Sequence, residues 1–141
     1  MAPRFRYAIG TDADAVFEMW FANQPPAVEY DLVDGGYVVV CLYMPNGRTA
    51  IGSILARSII IAGRAWSVWL GQRNNAPVIS YVPDAAGIAE GSLDLAPFVL
   101  DAVARTPGIS TSMFLTDVHG GFEIWSGGVG LSLTNFSIGV E

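Results

Sequence analysis

The residues with the most chemical promise lie together in Asp117-Val118-His119-Gly120-Gly121-Phe122-Glu123-Ile124-Trp125-Ser126-Gly127-Gly128. This stretch carries one glutamate between two glycine pairs. Side chains alternate on a strand, so Glu123 and Trp125 share one face while Phe122 and Ile124 take the other. The glycines remove bulk, which lets a flat ligand approach the backbone, and Trp125 supplies an apolar wall. Desolvation in such a groove raises a carboxyl pKa, the state a general acid working near neutrality requires. The same spacing also fits a solvated carboxylate beside turn glycines, and the residues alone leave both readings open. His119, four residues earlier with matching parity, is either a hydrogen-bonding neighbour of Glu123 or a surface histidine. Trp66, Trp69 and Tyr81, joined by Trp20 and Trp125, offer planes that suit the apolar faces of pyranose rings, although strand aromatics more often fill cores.

Composition removes other chemistries. Cys41 and His119 are single residues of their kinds, so there is no Cys/His cluster for a metal, and no cofactor motif is present. The net charge is −6 and all seven basic residues are scattered arginines, which opposes binding to nucleic acid. Apolar runs such as 37–44 and 58–62 are too short for a membrane span, and the chain opens without an apolar signal-like segment.

The elements that must position these residues are short. Hydrophobic residues make up 52% of the chain and charged residues 14%, enough for a core, while 16 glycines and 8 prolines divide it finely. Strands are expected near 14–22, 36–44, 50–61, 64–70, 77–82, 112–119, 121–126 and 129–140, a spacing typical of a sandwich or barrel. Ala62-Gly63 closes a hairpin between two of them, and Asn74-Asn75 makes another turn. Leu95, Phe98, Val99, Ala102 and Val103 share a helical face, which predicts one helix over 94–105 capped by Asp94, with Asp101 and Arg105 as an exposed pair. Residues 23–36 read as a polar connection whose Glu29, Asp31 and Asp34 are solvated charges.

The string Gly121-Phe122-Glu123-Ile124-Trp125-Ser126-Gly127-Gly128, with Leu115-Thr116-Asp117-Val118 before it and Gly130-Leu131-Ser132-Leu133 and Phe136-Ser137 after it, resembles the end of a family 12 glycoside hydrolase. Ile51-Gly52-Ser53, 63–69, 78–82 and Leu93-Asp94-Leu95 agree in order. The resemblance runs from about residue 14 to the end, leaving 1–13 as an unmatched N-terminal segment that adds at most one edge strand. It implies an all-β fold, an incomplete jelly roll of two packed antiparallel sheets with one helix. It also implies a retaining endo-β-1,4-glucanase acting on a β-1,4-glucan, secreted as the family is, with no cofactor. Glu123 becomes the general acid/base, with Trp125, Trp69 and His119 as substrate-binding candidates.

A retaining enzyme needs a second carboxylate about 5–5.5 Å from the first. The family places this nucleophile at the start of a Glu-x-Met-x-Trp strand. Counting back from Ile51-Gly52-Ser53, that strand is Tyr37-Val38-Val39-Val40-Cys41 here, so Tyr37 stands where the glutamate belongs. A phenol with an ordinary pKa of about 10 is a poor nucleophile at neutral pH. Glu18, in Phe17-Glu18-Met19-Trp20, matches the family's aspartate beside the nucleophile and is the other catalytic candidate, as support or as an irregular substitute. The family's earlier strands have no counterpart in this sequence. Weak or absent hydrolysis by the isolated chain is expected, with a separate N-terminal half or self-association completing the sheet. The alternatives are a non-catalytic glucan-binding module and a degenerate fragment.

Overall fold

The computed structural model describes residues 4–7, 12–27 and 34–140. In chain order the elements are β1 (Arg4–Tyr7), β2 (Asp12–Ala13), β3 (Ala15–Ala22), β4 (Gly36–Tyr43), β5 (Ser53–Ile61), β6 (Arg64–Arg73), β7 (Ala76–Pro83), β8 (Glu90–Ser92), α1 (Ala96–Arg105), β9 (Phe114–Gly121), β10 (Ile124–Ser126) and β11 (Leu133–Ser137). Six strands form the main sheet in the order β5-β6-β7-β4-β3-β9, a second sheet runs β11-β1-β8, and β10 pairs with β2. Thus β1 lies between two strands, not at an edge.

Turn chemistry sets much of this topology. Ile61 pairs with Arg64, and the intervening Ala62 and Gly63 both have positive φ, at 51° and 72°. Arg73 pairs with Ala76 across Asn74 and Asn75, again both positive, at 52° and 66°. Two-residue loops of this left-handed form match the twist of the strands they join, and asparagine tolerates the conformation. The paired hairpins return the chain so that β7 runs parallel to β4, a departure from the antiparallel pairing expected throughout.

Alternation then divides the main sheet into two faces. Phe17, Met19, Val38, Val40, Trp66, Val68, Ile79 and Tyr81 point to one side, where Leu95, Phe98 and Ala102 of the helical segment cover them. The second sheet joins this core through Leu133 and through Phe136, whose ring lies 5.8 Å from that of Phe17. Trp66 and Tyr81, expected as possible sugar platforms, are fully buried here. Trp66 donates its indole N–H to the Ile61 carbonyl at 3.0 Å, and the Tyr81 hydroxyl bonds Asp101 at 2.8 Å. Trp66 lies three residues from Trp69 and Tyr81 one from Ser80, both odd separations, so the helix takes one set and the open face keeps the other.

The helix begins at Ala96, two residues later than expected. The N-cap is Leu95, without a side-chain cap, in place of the expected Asp94, which accepts the Ala96 amide at 3.0 Å from just outside the helix; Pro97 sits in the first turn, where its missing N–H costs nothing. Asp101 and Arg105 do pair, but half-buried and bonded to Tyr81, so the pair anchors the helix to β7 instead of decorating an exposed face.

Candidate active site

The face of the main sheet away from the helix carries a cross-strand row. Register places His119 beside Glu18, Glu18 beside Val39, Val39 beside Ser80, Ser80 beside Trp69 and Trp69 beside Ile54. Neighbours in register share a face, so Glu18, Trp69 and His119 fall on the same concave surface. Tyr37 occupies this face one step away, paired with Trp20 and Val78.

Glu123 arrives by an irregularity. It was expected inside a strand over 121–126, whereas β9 stops at Gly121 and β10 starts at Ile124. Asp14 is the matching break between β2 and β3. The two breaks face each other: the Asp14 amide donates to the Glu123 carbonyl at 3.0 Å, and the Glu123 amide donates to Asp14 Oδ1 at 2.8 Å. The crossing turns the Glu123 side chain into a cleft of about 220 Å³ lined also by Asp14, Glu18, Arg73, Ser80 and Trp125. A second lobe, lined by Trp20, His119 and Gly121, shares Glu18, Arg73 and Glu123 with the first. A Cβ built at Gly121 meets nothing within 4 Å, so that glycine leaves open space near Glu123, whereas Gly120 packs against the Phe136 ring and opens none, contrary to the expectation for the pair. Gly127 and Gly128, by contrast, have φ of 74° and 92° and serve the turn after β10.

Arg73 joins the lobes. Its guanidinium makes a two-pronged pair with Glu18, at 3.2 Å and 3.0 Å, and Nη2 lies 3.7 Å from Glu123 Oε1. One nitrogen thus lies within reach of both carboxyls, 3.0 Å from Glu18 Oε1 and 3.7 Å from Glu123 Oε1. Arg73 also stacks 4.8 Å above the Tyr37 ring. Glu18 accepts a third bond, from the Trp20 indole N–H at 3.0 Å. Burial opposes the Arg73 charge, but the Glu18 bond and the nearby carboxylates outweigh it and hold the guanidinium protonated more firmly than usual.

The desolvated carboxyl is not the one expected. Glu123 is half exposed, at 52% of its side chain. Asp14 is 2% exposed, and its pKa is pushed up to about 7, chiefly by burial; the Glu123 amide bond works against this and the Glu123 and Glu18 charges add to it. Burial likewise pushes the Cys41 thiol well above its usual range. Sequence reasoning missed Asp14 and Arg73. Asp14 looks like one more polar residue in Thr11-Asp12-Ala13-Asp14, and Arg73 meets Glu18 from 55 positions away.

The remaining candidates occupy defined places. His119 stacks on Trp20 with centroids 4.6 Å apart, and among the described residues its Nε2 has no hydrogen-bond partner. Trp125 is 38% exposed at the cleft rim, with the Arg48 guanidinium 5.0 Å from its ring, and Arg48 is held in turn by Asp12. Asp34 accepts the Asn23 amide at 2.8 Å instead of standing free, while Glu29 and Asp31 lie outside the described residues. Among the described residues no His/Cys/Asp/Glu group of metal-binding form occurs, and no helix is long and apolar enough to cross a membrane.

Comparison with known proteins identifies the architecture. The family model described as glycosyl hydrolase family 12 matches residues 7–141. A curated relative, the probable cellulase Cel12b of Mycobacterium tuberculosis, is 36% identical over 81 residues, covering 57% of this chain and 52% of that protein. Endoglucanase Cel12A from Rhodothermus marinus superposes with a TM-score of 0.86 at 28% identity, over 96% of this chain and 59% of that one. A family 12 xyloglucanase from Bacillus licheniformis shares the fold at 18% identity and a TM-score of 0.82, over 99% of this chain and 62% of its own. The chain therefore spans about half the length of the curated relative and about three-fifths of these solved domains. With a family match over nearly all its residues and a jelly-roll architecture in common with these enzymes, the chain belongs to glycosyl hydrolase family 12.

Proposed function

We propose that the cleft takes a β-1,4-glucan chain and that Glu123 is its general acid/base, within a site of the retaining endoglucanase type. The observation that carries this reading is the half-exposed Glu123 carboxyl at the cleft, close to Trp125 and tied through Arg73 to Glu18. In the proposed reaction Glu123 gives its proton to the glycosidic oxygen and later takes one from water, while a carboxylate on the opposite side of the anomeric carbon attacks it. Glu18 supports this centre. Its oxygens are occupied by Arg73 and Trp20, which makes it a poor substitute nucleophile. Tyr37 stands at the nucleophile position, so hydrolysis by the chain as it stands is slow. Secretion belongs to the same proposal and rests on the family.

Sugar binding does not need the missing carboxylate. Trp125→Ala should weaken cellotetraose binding by about tenfold, the loss of one stacking plane of about 1.5 kcal/mol, without changing the melting temperature appreciably. Calorimetric titration measures it, and an unchanged affinity would sink the glucan reading. The non-catalytic binding module is the second reading, favoured by the Arg73 guanidinium that fills the space between the two glutamates; it predicts binding with no turnover even after prolonged incubation.

The sheet edges bear on partners. β5 and β9 flank the main sheet, and Leu55, Ile60, Phe114 and Leu115 are exposed on them. Edges that have no further neighbour among the described residues and carry apolar side chains favour pairing with another strand. We propose that the preceding strands of a family 12 domain, on a separate half chain or through self-association, complete the sheet. Adding a separately expressed N-terminal half should raise activity on carboxymethylcellulose, and no gain with a folded half would overturn it.

A further inference from the structure

Asp14 has no role in the reading above, yet among the described residues it is the most deeply buried carboxyl of the cleft. It is the single residue between β2 and β3, and it holds the Glu123 peptide from both sides, accepting the amide and donating to the carbonyl. A serine or asparagine would suffice to accept an amide, so an acid here asks for another reason. The groups that face it are Glu18 on β3, Cys41 on β4, Arg73 on β6 and Glu123 opposite. Two of these are carboxylates, and Arg73 is already engaged by both. A third negative charge on this floor is therefore costly, which agrees with the upward displacement of Asp14 toward neutrality. A protonated carboxyl has one O–H to give, while its other oxygen still accepts the amide.

We infer that Asp14 is a positioning residue for Glu123: protonated, it fixes the peptide that carries the acid/base carboxyl, and ionised, it sets a third negative charge beside that carboxyl and drives it from its place. The inference rests on the role proposed for Glu123, and it makes the placement of that carboxyl depend on the protonation of a neighbour.

The Glu123 amide, bonded to Asp14 Oδ1, reports the state of that carboxyl directly. In nitrogen–proton correlation spectra recorded from pH 5 to 9, the wild-type Glu123 amide should show an inflection near pH 7. Asp14→Asn keeps an oxygen acceptor and should keep the amide shielded from exchange while abolishing the inflection. Asp14→Ala should lose both, with amide exchange faster by about tenfold or more, as expected when a buried hydrogen bond is opened. Stability gives a second readout. The folded chain holds a proton that the unfolded Asp14 releases above about pH 4, so stability falls as pH rises from there to about 7. The wild-type melting temperature should drop between pH 5 and 8 by more than that of Asp14→Asn. Identical amide titrations in wild type and Asp14→Asn would overturn the inference. A wild-type chain that shows the inflection but no response to cellotetraose would sink the glucan reading and still support the positioning of Glu123 by Asp14.

Discussion

Tyr37→Glu should turn a slow or silent chain into a glucanase, with hydrolysis of an aryl β-cellobioside raised by about 100-fold or more, since a positioned nucleophile contributes several orders of magnitude and a slight displacement costs two. Position 37 lies on the concave face, paired with Trp20 and one alternation along β4 from Val39, the register neighbour of Glu18. Burying a carboxylate at a site only 5% exposed is ordinarily destabilising by several kcal/mol. Arg73 lies 4.8 Å above the ring that would be removed but is already shared by Glu18 and Glu123, so it offsets the new charge only in part and the variant should melt below wild type. Tyr37→Gln, of similar shape without charge, should stay inactive, and adding Glu123→Gln to Tyr37→Glu should return activity to background. A cooperative thermal transition first establishes that the variant is folded. A folded Tyr37→Glu without turnover would refute the assignment of position 37 and leave Glu123 with no partner.

The contrast between Tyr37 and Arg73 shows how far the sequence reaches. Turns were legible because they are local: Ala62-Gly63 and Asn74-Asn75 each pack their left-handed requirement into two residues. The strand carrying Tyr37 was legible because a continuous apolar run fits a strand buried on both faces, as β4 is. The helix was legible in its period but not in its start, because Asp94 bonds Ala96 whether or not the intervening residues are helical. Arg73 and Asp14 were not legible, since both owe their place to pairings between distant segments. The break at Phe122–Glu123 was hidden for the same reason. Nothing in Gly121-Phe122-Glu123-Ile124 reveals that a facing break at Asp14 bends the strand and leaves its glutamate half exposed.

The same limit governs the tryptophans, and their separation yields the largest expected loss of stability. Trp66 and Trp69 are three apart on β6, so they must face opposite ways, which the sequence does reveal; which of them meets the core depends on where the helix packs. Phe98 decides it. Its ring meets the Trp66 ring edge-on, with centroids 5.0 Å apart, and Trp66 is wholly buried. Trp66→Ala removes that contact, empties a large core volume and strips the Ile61 carbonyl of its indole donor. The cost should be about 3–5 kcal/mol, a fall in melting temperature of roughly 10 °C or more for a domain of this size. Trp66→Phe keeps most of the volume and loses the hydrogen bond, so it should fall between alanine and wild type. Trp69→Ala, on the concave face, should cost far less stability. Calorimetry on the three variants decides the matter: equal losses for Trp66→Ala and Trp69→Ala would mean that the faces of β6 are not divided between core and cleft, and the cross-strand row that sets Glu18, Ser80 and Trp69 on one face would lose its support.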